Sequence, residues 1–195
     1  MIPSDLLLAA YAGGWFPMSG DDGQISWYSP DPRGIIPLDA FHAPSRLRRV
    51  VRRGIYRVAV NTAFEAVIRA CAGVSRGPDE AGTWISDEIV ESYCLLHQLG
   101  YAHSVEAWEG DRLVGGLYGV SLGGAFFGES MFHRATDASK VALVALIDRL
   151  RDRRFGLLDT QWVTEHLQQF GAIEIPRSDY MKQLESSVRL DTAFA

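Results

Sequence analysis

The sequence predicts an α+β fold, with a small N-terminal lobe over residues 1–60 and a larger lobe over 61–195 built on a mainly antiparallel mixed sheet. Two observations carry this. Residues 104–129 fall into three strand-like runs, Ser104 to Trp108, Leu113 to Val120 and Ala125 to Glu129. They are parted by Glu109-Gly110-Asp111-Arg112 and Ser121-Leu122-Gly123-Gly124, which read as hairpin loops. An amphipathic helix follows from about Ala138 to Arg153, then a short strand at Leu157-Leu158, a helix near Thr164 to Phe170, and a strand at Ile173 to Ile175.

Ahead of the meander the elements are shorter. Ser4 is placed to cap a helix through Tyr11 that stops at Gly13-Gly14, and the stretch from Phe16 to Arg33 reads as loop. Tyr56 to Val60 alternates as a strand, Asn61 or Thr62 caps a helix to Ala72, and 73–82 is a polar loop. Ser86 caps a longer helix from Asp87 to Leu99, with Ile89, Val90, Tyr93, Leu96 and Leu99 on one face and Gly100 just past its end. This order is compatible with the GNAT acyltransferase superfold, although a fold alone does not give a function.

With 195 residues, 47% hydrophobic and 22% charged, the composition excludes disordered, collagenous and low-complexity chains. No apolar run approaches the roughly 18 residues of a membrane span. Met1-Ile2-Pro3-Ser4-Asp5 has no basic region ahead of an apolar core, so the cytoplasm is expected. Cys71 and Cys94 lack CxxC or Cys/His spacing, and His97, His103, His133 and His166 give no metal-ligand spacing. No metal is expected.

The net charge of −5 conceals a reversal: residues 40–64 hold no carboxylate, while Arg46, Arg48, Arg49, Arg52, Arg53 and Arg57 all fall inside them. An arginine stripe on an acidic protein suits a polyanion, nucleic acid above all; the alternative is a solvated helix face. Glu129 closes an apolar run and calls for a partner, either a substrate group or Arg134 or Lys140. Asp159 and Gln161 alternate beyond Leu157-Leu158 and are expected on one side of the sheet; a helix cap is the other reading of Asp159. Trp84 reads as a core anchor or a stacking platform. The segment from Glu129 to Arg134 lacks a glycine-rich pyrophosphate turn, which argues against acyl-CoA as donor.

Nine segments in order carry a resemblance: Ala10-Tyr11-Ala12-Gly13-Gly14-Trp15-Phe16-Pro17-Met18, Trp27-Tyr28-Ser29-Pro30-Asp31-Pro32-Arg33, Gly82-Thr83-Trp84-Ile85, Ala102-His103-Ser104-Val105-Glu106, Val114-Gly115-Gly116-Leu117-Tyr118-Gly119-Val120, Gly128-Glu129-Ser130-Met131-Phe132, Ala138-Ser139-Lys140, Leu158-Asp159-Thr160-Gln161 and the run from Gly171 to Arg177. Across nearly its whole length the chain resembles the leucyl/phenylalanyl-tRNA-protein transferases. The resemblance implies a GNAT-like C-terminal lobe and transfer of Leu, Phe or, less readily, Met from aminoacyl-tRNA to proteins with N-terminal Arg or Lys, marking them for N-degron degradation. It implies Asp159 and Gln161 at the reactive centre, Glu129 organising the amine, and Trp84 and Tyr93 as walls of the aminoacyl-adenosine site. Leu117, Phe126, Leu143 and Leu158 would line the donor side-chain pocket with Ser130 beside it, and Arg46, Arg48, Arg49, Arg52 and Arg53 would bind tRNA. Met18 departs from a tryptophan of some relatives, and Gln169-Phe170-Gly171-Ala172 from a more usual Ser-Leu-Gly-Ala. No cofactor is implied, and a monomer is expected. The alternatives are a GNAT-like acyltransferase with another donor and a non-catalytic tRNA-binding module.

Overall fold

The computed structural model describes residues 1–20, 22–74 and 83–195. Most of the polar loop expected at 73–82, and Gly82 of the Gly82-Thr83-Trp84-Ile85 segment, lie outside the described residues. Strands β1 (Phe16–Ser19) and β2 (Ile25–Tyr28) form a two-stranded ribbon. The main sheet comprises β3 (Arg33–Ile35), β4 (Arg57–Val60), β5 (Ala102–Glu109), β6 (Arg112–Leu122), β7 (Ala125–His133), β8 (Leu157–Gln161) and β9 (Ile173–Ile175). Its order is β4-β5-β6-β7-β8-β3-β9. β7 and β8 pair in parallel and their neighbours pair antiparallel, which is the mixed α+β sheet expected.

The helices are α1 (Ser4–Ala12), α2 (Ser45–Arg52), α3 (Phe64–Ala72), α4 (Asp87–Gln98), α5 (Ala138–Asp152), α6 (Glu165–Gln168) and α7 (Arg177–Val188). They cover both faces of the sheet. On one, Leu7, Tyr11, Val67, Ile89, Tyr93 and Leu184 of α1, α3, α4 and α7 join one apolar cluster. On the other, Leu47 of α2 and Val141, Ile147 and Leu150 of α5 join a second with Phe126, Phe170 and Phe194. Among the described residues no helix is long and apolar enough to cross a membrane.

Several local expectations change. Residues 16–33 contain β1, β2 and the start of β3 where a loop was expected: Pro17 and the surrounding Gly and Asp break any period-two pattern, and a proline is tolerated in a two-stranded ribbon. Ser4 is the first residue of α1, entered through Pro3, and makes no side-chain cap. Neither Asn61 nor Thr62 caps α3, which begins at Phe64. The amides of Thr62 and Ala63 instead donate to Glu106 Oε1 of β5 at 3.2 and 3.4 Å, a distant carboxylate doing what a local cap was expected to do. Ser86 does cap α4, accepting from Ile89 N, but the helix ends at Gln98 and Leu99 is exposed. Helices α2 and α7 carry no clear sequence signal. Residues 1–60 supply β3, inserted between β8 and β9, and β4 at the opposite edge, so the stretches 1–60 and 61–195 share one sheet.

Candidate active site

The parallel register of β7 and β8 runs from Ala125↔Leu157 to Phe127↔Asp159 and stops. Beyond it the two strands part, and a cavity of about 540 Å³ opens between 128–131 and 160–162. That is the size of a small-molecule site. Leu117, Met131, Leu143, Leu146 and Leu158 make an apolar wall, and Phe16, Met18, Trp84 and Trp162 an aromatic-rich rim.

Glu129 enters this cavity through a bulge. Tyr118 pairs with Ser130 and Gly119 with Gly128, so Glu129 is the extra residue of β7, turned out of the ladder. The strand does not end there, as expected, but continues to His133. The carboxylate pairs with neither Arg134 nor Lys140: Arg134 lies over the Phe132 ring, and Lys140 reaches Asp137 at 3.2 Å. Its partner is Tyr11, whose hydroxyl donates to Oε1 at 2.7 Å and touches the hydroxyl of Tyr93 behind it. Burial pushes the Glu129 carboxyl up to about 8; the Tyr11 hydrogen bond pulls it down, Asp159 pushes it up and Arg33 opposes that. Tyr11→Phe removes a bond that favours the charged form, so a pH–rate limb governed by Glu129 should move to higher pH, measured as kcat/KM against pH.

Asp159 is fully buried and is not part of the cavity wall. Arg33 grips it with both arms, Nε to Oδ1 at 3.0 Å and Nη2 to Oδ2 at 2.6 Å; the Tyr180 hydroxyl donates to Oδ2 at 2.7 Å and the Gln161 amide to Oδ1 at 2.8 Å. Arg33 is itself sealed in, over the rings of Phe16 and Tyr180, with Nη1 on Gly14 O at 2.9 Å. Such a bidentate buried pair fixes geometry tightly. The alternation expected for Asp159 and Gln161 breaks at Gln161, whose backbone is left-handed at φ 60°. A non-glycine residue pays about 1–2 kcal/mol for that conformation, and here the Asp159 bond to its amide holds it. Gln161 thereby lines the cavity while Asp159 stays beneath. Opposite, Gly34 pairs with Gln161, and a Cβ on it would lie 2.5 Å from the Trp162 carbonyl carbon, so only glycine permits the approach.

The structure thus brings Glu129, Gln161, Ser130, Trp84, Leu117, Leu143 and Leu158 to one cavity. It does not bring Asp159, Tyr93 or Phe126 there. Tyr93 is buried behind Tyr11, edge-on to Tyr118, and Phe126, though in one apolar cluster with Leu117, Leu143 and Leu158, packs 5.0 Å from Phe194 and does not line the cavity. Sequence reasoning missed Arg33, Tyr11 and Tyr180, which have no local signature, and the wall residues Thr160, Trp162 and His166. Arg46, Arg48, Arg49 and Arg52 lie on or, with Arg53, just past α2, and all five are exposed. Among the described residues no group of three or more His, Cys, Asp or Glu is placed to hold a metal.

The site thus sets an apolar cavity, with a carboxyl raised by burial and an amide in its wall, on the same molecule as an exposed arginine helix. Residues 35–185 match the family described as Leucyl/phenylalanyl-tRNA protein transferase, and residues 2–31 its N-terminal domain. The chain is 53% identical to the leucyl/phenylalanyl-tRNA–protein transferase of Rubrobacter xylanophilus over 98% of its own length and 97% of the relative's. It is also 53% identical to that of Gloeobacter violaceus, over 97% and 96% of the two chains, and to that of Paramagnetospirillum magneticum, over 96% and 90%. A structure of L-PGS from Bacillus licheniformis superposes with a TM-score of 0.41 at 14% identity, covering 82% of this chain and 53% of that one, a likeness too slight to bear on either fold or function. The chain belongs to the leucyl/phenylalanyl-tRNA-protein transferase family.

Proposed function

We propose that the protein moves Leu, Phe or Met from aminoacyl-tRNA to the α-amine of polypeptides with N-terminal Arg or Lys, acting as a cytoplasmic monomer with a GNAT-like catalytic lobe in an N-degron route. The observation that carries the reading is Glu129, bulged into an apolar cavity and raised to about 8. An α-amino group has a pKa of about 7.7–8.0, so a proton passes between amine and Glu129 at almost no free-energy cost. The amine nitrogen attacks the ester carbonyl, the C–N bond forms, and Glu129 takes the amine proton. The ester C–O bond then breaks, and the proton goes to the departing ribose oxygen. Gln161, held by Asp159, orients the amine; Asp159, with both oxygens engaged by Arg33 and the Gln161 amide, acts through it as a positioning residue. Glu129, negative once ionised, also favours a cationic acceptor side chain.

The apolar wall selects by shape, and one methylene is worth about 1–3 kcal/mol there. Leucyl-, phenylalanyl- and methionyl-tRNA should therefore donate and valyl-tRNA should not, measured as label transferred to an N-terminal-arginine protein; equal donation by valine would overturn the reading. Arg48→Ala with Arg52→Ala should weaken aminoacyl-tRNA binding and flatten its salt dependence by about 1.5 in log–log slope, with the single-turnover rate of bound complex unchanged.

A further inference from the structure

The Ala138-Ser139-Lys140 segment has no role in the chemistry above. It forms the first turn of α5 and borders a second recess of about 620 Å³, walled by His133, Arg134, Thr136, Asp137, Ser139, Lys140 and His166. Ser139 is only 3% exposed, yet its hydroxyl is in no hydrogen bond among the described residues. Asp137 precedes α5 without capping it. Ala138 N donates to Ala135 O and Val141 N to Asp137 O, while the amides of Ser139 and Lys140 are first-turn donors with no carbonyl to meet.

The charges agree with the backbone. Arg134 and Lys140 are cationic, and the one carboxylate in the wall, Asp137, is held between Lys140 at 3.2 Å and Arg46 of α2 at 3.7 Å. The recess is therefore joined to the arginine helix on one side. On the other it meets the aminoacyl cavity, because His166 lines both, its buried Nε2 without a hydrogen-bond partner among the described residues and its pKa lowered by burial, Lys140 and His133.

We infer that this recess binds a phosphodiester, that of the nucleotide whose ribose carries the aminoacyl ester. Helix-start amides, a buried hydroxyl and two cations are what phosphate oxygens require. The 3′ strand of the tRNA then runs from α2 past Arg46, seats its last phosphate on Ser139 and Lys140, and crosses His166 into the cavity.

The inference rests on the aminoacyl-tRNA reading, and the test separates the two. Transfer to an N-terminal-arginine peptide is compared for the leucyl ester of adenosine, which has no phosphate, and of cytidylyl-(3′→5′)-adenosine, which has one. The protein should prefer the dinucleotide donor by about 10-fold or more in kcat/KM, the scale of one charge-assisted phosphate contact. Lys140→Met and Ser139→Ala should erase most of that preference, with the loss confined to the phosphate-bearing donor, and Lys140→Arg should keep it. Inorganic phosphate should compete with the dinucleotide donor alone; competition with both would mean an anion site unconnected to the donor strand and overturn the inference. Equal use of both donors by the unaltered protein, or equal losses on both in the variants, would overturn it as well. Failure of both donors and of leucyl-tRNA would overturn the reading beneath it.

Discussion

Arg33→Met should leave a protein that is barely folded and no longer transfers. The substitution strands the Asp159 carboxylate, fully buried, without its cation. Removing one partner of a buried pair costs about 3–5 kcal/mol, because the remaining charge is left uncompensated. That is a large fraction of a domain's whole stability. Catalysis suffers separately, since Asp159 Oδ1 holds the Gln161 amide and with it a left-handed backbone. Denaturant unfolding measures the first effect. Gln161→Gly isolates the second: it leaves the Arg33–Asp159 pair intact and suits the left-handed backbone, so it should stay folded and bind aminoacyl-tRNA while kcat falls. A stable, fully active Arg33→Met would show that the pair positions nothing.

Glu129→Gln should lower kcat/KM by about 10²–10⁴-fold, the usual range for losing a general base, and should change the pH profile more tellingly than the rate. With Glu129 raised to about 8, the base is mostly protonated at pH 7, and activity should climb as pH rises through about 8. In Glu129→Gln the limb due to this group should vanish, leaving that of the amine. Stability runs the other way. A carboxyl whose folded pKa lies above its unfolded value favours the fold below the unfolded pKa, and that contribution is lost as pH rises through the folded one. Stability should thus decline between about pH 4.5 and about 8, and Glu129→Gln should flatten the decline. An inactive variant that is more resistant to denaturant at pH 8 is the expected pairing, as for residues kept for function against stability.

The meander β5–β7, α4 and α5 were legible because each repeats one period over eight or more residues, and the hairpin glycines mark where it breaks. The arginine helix was legible as charge but not as a helix. What escaped is set by single residues or by distance. Arg33 and Asp159 are 126 positions apart, so nothing local announces their pair. One bulged residue decides that Glu129 faces the cavity, and one left-handed φ decides that Gln161 does while Asp159 does not. Period-two reasoning cannot anticipate either. Leu117, Leu143 and Leu158 keep their elements' periods and line the cavity, whereas Phe126, in the same apolar cluster, packs on Phe194 and does not reach it.

The central claim is a transfer from aminoacyl-tRNA to a chosen N-terminus. It is tested by mixing the purified protein with radiolabelled leucyl-tRNA and two reporter proteins differing only in N-terminal arginine or alanine, with no ATP or coenzyme A added. The account predicts label on the arginine reporter alone. Label on both reporters, or on neither while the tRNA still binds, would contradict it.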